Sequence, residues 1–127
     1  MSKHLRLLRF WLALGFFGCA VLLYACLMPS PPQVVHVPHY DKIVHFLAYV
    51  VLGAWFAEIL PRRLLLVFTG LLTLGVGIEW AQSLTAYRSA EVMDVVADVA
   101  GTVVGIGLAR IGAMRWLEYL DQNVLTK

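Results

Sequence analysis

Four long apolar runs, separated by short polar or proline-rich breaks, set the pattern of the chain. The first, FWLALGFFGCAVLLYACLM from Phe10 to Met28, contains no charged residue. A helix crosses a bilayer with about 20 predominantly apolar residues, so this run predicts a membrane-spanning helix over 10–28. The next stretch, PSPPQVVHVPHY, holds Pro29, Pro31, Pro32 and Pro38, which lack backbone donors and forbid a regular helix, and it reads as an extended linker. Between Pro38 and Pro61 an unbroken apolar segment predicts a second helix over 40–60, with Asp41 suited to its N-terminus. Arg62 and Arg63 make a tight turn, and Glu58 stands four residues before Arg62, a spacing suited to a snorkelling ion pair. The third run predicts a helix over 64–86 that turns polar only near its end, and the fourth a helix over 91–112 that is polar at its start. Trp116 to Lys127 reads as a short mixed tail. The expected fold is all-α: a polytopic four-helix membrane bundle forming a single domain over residues 1–127.

Composition agrees with that pattern. The 127 residues are 61% hydrophobic and 14% charged, with a mean hydropathy of +0.78, more apolar surface than a soluble core of this size could hide. Lys3, Arg6 and Arg9 precede the first run, so a cleaved signal peptide is its rival, and Leu23-Tyr24-Ala25-Cys26 resembles a lipoprotein cleavage site. The bulk of Tyr24 and the three further apolar segments favour a retained helix. Cys19 and Cys26 share a helical face and read as small side chains at lipid depth, not as a disulfide framework.

The net charge is +2, and the basic residues form no continuous face, which excludes a nucleic-acid footprint. Counted on four spans, eight basic residues (Lys3, Arg6, Arg9, Arg62, Arg63, Arg110, Arg115 and Lys127) share one side, against Lys42 and Arg88 on the other. The positive-inside rule places both termini in the cytoplasm and the proline-rich linker and Arg88 loop outside.

On this topology the chemistry collects at the outer face. Asp41, His45 and Tyr49 recur every four residues beside Lys42; Glu79 and Gln82 are three apart; Glu91, Asp94 and Asp98 follow a three-then-four step. Each set forms one helical stripe. Asp98 falls roughly 10 Å along its helix, where facing lipid would cost at least a few kcal/mol, so the stripes are expected to turn inward on one another and form an outward-opening polar pocket. Asp94 lies nearer the helix start and Arg88, and Asp98 deeper, so Asn is expected to replace Asp98 better than Asp94. The alternative is a network in which Lys42 and Arg88 neutralise carboxylates and merely pin the helices together. Asp41, Glu79, Glu91, Asp94 and Asp98 outnumber those two cations, leaving the balance to protons, a charged His45 or a bound cationic group. Two helix N-termini aimed at the same face suit an anion such as a phosphate, and the layout fits a zwitterionic or pyrophosphate-bearing headgroup with an amine or metal counter-ion.

His36, His39, His45 and Asp41 offer zinc-type ligands, but His36 and His39 flank Pro38 in an extended linker, so exposed loop histidines are the default and neither a metal site nor a cofactor is expected. No Gly-rich phosphate loop, nucleophile elbow or His-Glu zinc helix occurs, and nothing fixes Ser83 or Ser89 as a nucleophile. Ala97, Gly101, Gly105 and Ala109 form a small-residue ladder that suits close packing against the second or third helix or a dimer seam, and the first is expected. Trp11, Trp80 and Trp116 fall near helix ends, where interfacial anchoring is the ordinary role; Trp55 does not.

The series Asp41-Lys42-x-x-His45-x-x-x-Tyr49, Glu79-x-x-Gln82, Arg88, Asp94, Gly101 and Gly105 resembles the VanZ-like family of small bacterial membrane proteins, from about Tyr40 to Leu108. Asp98 departs from the Asn common at that place in the family. The resemblance implies a multi-pass protein of the bacterial cytoplasmic membrane with a cell-envelope role, and the founding member is associated with lowered susceptibility to teicoplanin. It is the basis for expecting a membrane lipid or lipid-linked peptidoglycan precursor as partner at Asp41, Lys42, His45, Tyr49, Glu79, Gln82, Arg88, Asp94 and Asp98. A membrane-embedded hydrolase using acid–base carboxylates and a purely structural or interaction protein are the alternatives.

Overall fold

The computed structural model describes residues 7–27, 40–84, 92–112 and 116–123, with the backbone alone at 40, 41, 116 and 118. Five helices follow in chain order: α1 (Leu8–Leu27), α2 (Tyr40–Ile59), α3 (Leu64–Ser83), α4 (Val92–Arg110) and α5 (Trp116–Asn123). The first four are long and apolar enough to cross a membrane, with mean hydropathies of 2.2, 1.5, 1.8 and 1.8 over their spanning windows.

The helix ends follow from local chemistry. Pro61 pushes the residue before it out of helical geometry, and Leu60 is indeed non-helical, so α2 stops at Ile59. The Arg63 N–H closes a turn onto the Leu60 carbonyl at 3.0 Å, with Pro61 in the position its fixed φ favours. The α3 helix starts without a side-chain cap and ends at Ser83, three residues short of the expected 86, where the Leu84 N–H tightens onto the Ala81 carbonyl at 3.1 Å. Beyond α4, Gly112 takes φ 79 and donates to Ala109 at 3.1 Å, a left-handed helix stop that suits a residue without Cβ.

Polarity is distributed inside out. Phe16, Phe17, Tyr24, Leu65, Val92 and Val103 are exposed, while His45, Glu79, Gln82, Asp94, Asp98 and Asp121 are buried. In lipid that is the favourable arrangement, because apolar side chains need no shelter there and polar ones do. The exposed hydroxyls on α3 obey the same rule: Thr69 Oγ1 donates to the Leu65 carbonyl at 2.9 Å and Thr73 Oγ1 to the Thr69 carbonyl at 2.7 Å, so neither presents an unsatisfied donor to lipid.

Within the bundle, α2 touches α1, α3 and α4. Its approach to α4 is closest, because Gly101 lies under the Phe46 carbonyl and Gly105 under the Val50 carbonyl, while Gly53 returns the contact against the Thr102 backbone. The small-residue ladder thus packs within the molecule, against α2. Since Lys42 and His45 on α2 meet Asp94 and Asp98 on α4, the two helices run parallel. Antiparallel α1 packs against α2, with Trp11 against Trp55 at 5.9 Å between ring centroids and Phe16 against Phe56 at 5.5 Å. An apolar core of Tyr49, Leu52, Phe56, Val67 and Leu71 fills the middle.

Two expectations are corrected at the opposite end. Part of the presumed tail is a helix, α5, whose Leu117 and Asp121 are fully buried. Asp121 Oδ1 accepts both the Leu7 N–H and the Trp11 Nε1–H at 2.8 Å, and Leu117 packs with Trp11 and Ile59. Eight residues are too few to hold a helix alone, so these contacts hold it, and no local signal announces them. For the same reason Trp11 is only 3% exposed and belongs to the core, not to an interfacial belt, whereas Trp80, at 67%, keeps the exposure an anchor needs.

Candidate functional site

Four helices bring polar atoms to one end of the bundle. From α2 come Lys42, His45 and Tyr49, one turn apart on the stripe facing α4. From α4 come Asp94 and Asp98, both buried. The inward face of α3 reads Val67, Leu71, Gly75, Ile78, Glu79 and Gln82, apolar through the core and polar only at this end. The last turn of α1 brings Cys26 here, buried among polar groups and not facing lipid as its place in an apolar run suggests.

The contacts are specific. His45 Nδ1 lies 3.0 Å from Asp98 Oδ1, and Lys42 Nζ stands 3.5 Å from Asp94 Oδ1. On the other side of the imidazole, Cys26 Sγ is 3.7 Å from His45 Nε2. Gln82 Nε2 donates to the Cys26 carbonyl at 2.8 Å and ties α3 to the last turn of α1. Asp98 also anchors its own helix, since its backbone carbonyl accepts from Thr102 Oγ1 at 2.8 Å. Gly75 makes the approach of α3 possible: a Cβ there would come within 2.7 Å of Asp98 Oδ2 and 3.3 Å of Tyr49 Oη. Those two oxygens are buried and have no hydrogen-bond partner among the described residues, a costly arrangement for polar atoms out of water.

His45, Glu79 and Asp94, all buried, offer one ligand atom each within 4.8 Å of one another, the one such metal-ligating group among the described residues. It draws on three helices; His36 and His39 lie outside the described residues. The convergence of Lys42, His45, Tyr49, Glu79, Gln82, Asp94 and Asp98 follows the spacing in the sequence. Of the remaining expected site residues, Arg88 lies outside the described residues, as do Glu91 and the side chain of Asp41. Cys26 and Gly75 join the site without a sequence signal: one is a weakly polar residue in an apolar run, the other contributes by having no side chain. Ser83 is exposed and bonds to the Trp80 carbonyl of its own helix, away from any nucleophile role.

Chemically, the site combines a cation on a flexible stem, an imidazole oriented by a carboxylate, two further carboxyl groups and a tyrosine hydroxyl. It can receive an anion at Lys42, a cation among the carboxylates, or a proton at His45. Neither a curated protein nor a solved structure matches the chain. The family model described as VanZ/LLP1 matches residues 20–114, from within α1 through all of α2, α3 and α4, and the chain belongs to that family of membrane proteins.

Proposed function

We propose that this protein binds an envelope lipid or lipid-linked peptidoglycan precursor at an outward-facing polar pocket, in the cytoplasmic membrane and with both termini inside. The observation that carries the reading is the buried set of His45, Glu79, Asp94 and Asp98 on three membrane-spanning helices, with Asp98 about 9 Å along α4 from Val92. Ionisable groups at that depth are costly, and a network that only pinned helices together would gain nothing from so many of them. Lys42, on the rim with its side chain 19% exposed, and Arg88, between α3 and α4 in the sequence, would hold the anionic part of the ligand, while Gln82 and Tyr49 position it. Altered glycopeptide susceptibility is the cellular consequence that a role with such precursors carries.

Native mass spectrometry of the purified protein tests the reading. The wild type should carry a selective lipid that Arg88→Ala loses; a wild type without any selective lipid overturns it. One contact favours a second reading as a hydrolase: the 3.0 Å pairing of His45 with Asp98 is how an imidazole is oriented for general base work. Lipid turnover by the wild type, abolished in Glu79→Gln, would replace binding with catalysis.

A further inference from the structure

We propose that His45, Glu79 and Asp94 form a binding site for one divalent cation of the first transition series, with zinc the first candidate. Each of the three is more than nine-tenths buried, and their ligand atoms already lie within 4.8 Å of one another. Tetrahedral zinc, with bonds of about 2.0–2.2 Å to nitrogen and oxygen, wants ligand atoms about 3.3 Å apart, so side-chain adjustment closes the set without moving a helix. An imidazole in an otherwise oxygen set favours zinc, iron or nickel over magnesium and calcium, which prefer oxygen throughout.

Two further observations support the assignment. Asp98 Oδ1 holds His45 Nδ1 at 3.0 Å, and Nε2 meets only the weakly bonding Cys26 thiol at 3.7 Å, a contact a metal would displace; a carboxylate on one nitrogen and a metal on the other is the arrangement that orients and strengthens metal-bound imidazoles. Asp94 Oδ1 is buried, has no hydrogen-bond partner among the described residues and meets Lys42 Nζ only at 3.5 Å, an ion pair loose enough to yield to a doubly charged ligand. Charge points the same way, since Glu79, Asp94 and Asp98 face Lys42 and His45 across a small volume inside the membrane.

Three protein ligands leave a fourth position open. That position would take an anionic oxygen, and with Lys42 beside it the natural donor is a headgroup phosphate. This use of the site rests on the lipid-binding reading above; the metal site itself does not.

The test uses the whole protein in detergent, stripped with a chelator and titrated with zinc ions alone, with bound metal counted after desalting and lipid followed in parallel by native mass spectrometry. One zinc per chain is expected, with Glu79→Gln and Asp94→Asn each weakening binding by about a hundredfold or more. Unchanged circular dichroism and gel-filtration behaviour establishes that those variants are folded. X-ray absorption of the zinc-loaded wild type supplies a readout that needs no variant, and should show one imidazole among oxygen neighbours. Less than half an equivalent of zinc, full affinity in both folded variants, or a shell without imidazole would overturn the site. Zinc bound as expected on a protein that retains no lipid upholds the site and refutes the lipid reading. Selective lipid on a protein that takes up no zinc does the reverse.

Discussion

Asp94 and Asp98 stand one turn apart on α4 and meet different partners. Asp98 Oδ1 faces His45 Nδ1, and an asparagine there would still present an oxygen to an imidazole N–H. Asp94 faces Lys42, and an amide in its place cancels the ion pair. Asp98→Asn should therefore keep expression and lipid retention near wild type, while Asp94→Asn loses retention with its helical content intact, as read by native mass spectrometry beside circular dichroism. Equal tolerance of both would make the cluster a structural network; a severe defect from Asp98→Asn alone would move the essential carboxylate one turn deeper. Most of this cluster was legible in the sequence for an energetic reason: polar atoms at lipid depth must face inward, so the spacings of His45 and Tyr49, Glu79 and Gln82, and Asp94 and Asp98 dictate the face. The roles of Cys26 and Gly75 were not, since each depends on which neighbour from another helix stands opposite.

Among the elements, the parallel pair α2 and α4 is held together by what its glycines lack. A side chain at Gly101 or Gly105 would run into the backbone carbonyls of Phe46 or Val50, groups that cannot swing aside, whereas nothing lies within 4 Å of a Cβ at Gly107 on the same helix. Gly101→Val and Gly105→Val should each destabilise the bundle by about 1–3 kcal/mol or more, and Gly107→Val should melt close to wild type in detergent. Comparable melting of all three would mean that α2 and α4 are not in backbone contact. At the far end α5 is held by the Asp121 carboxylate together with the packing of Leu117. Asp121→Ala leaves the half-buried Leu7 N–H and the buried Trp11 indole N–H without their acceptor, a loss of about 1–3 kcal/mol for the buried indole and less for the Leu7 N–H. Limited proteolysis should then cleave near α5 faster, while lipid retention at the opposite end stays unchanged; cleavage at the wild-type rate would show that Leu117 packing alone secures the helix. The four long helices were legible from apolar length, since only helices can carry such runs through lipid. Eight residues of mixed polarity offer no such constraint, so α5 becomes visible only once Trp11 and Ile59 are placed beside it.

For the molecule as a whole, the two ends of the bundle carry different kinds of polarity. One gathers Lys42, His45, Glu79, Gln82, Asp94 and Asp98 into buried contacts; the other closes around Asp121, Trp11 and the turn at Arg62 and Arg63. Four spans alternate direction, so the ends of α1 and α3 and the starts of α2 and α4 share one side of the membrane, and the arginine turn lies on the other with the start of α1 and the end of α4. Eight of the ten basic residues fall on the side of the termini. Basic residues in short segments resist translocation, so that side is expected to stay in the cytoplasm, with the polar cluster at the outer face. Reporter fusions at Lys127 and within the linker from Ser30 to His36 should accordingly sit in opposite compartments, with Lys127 inside. Both reporters in one compartment would remove a span and with it the common end shared by α2, α3 and α4. The reverse polarity, with Lys127 outside, would leave the helical bundle standing but turn its pocket toward the cytoplasm, where the ligand would have to be a lipid of the inner leaflet.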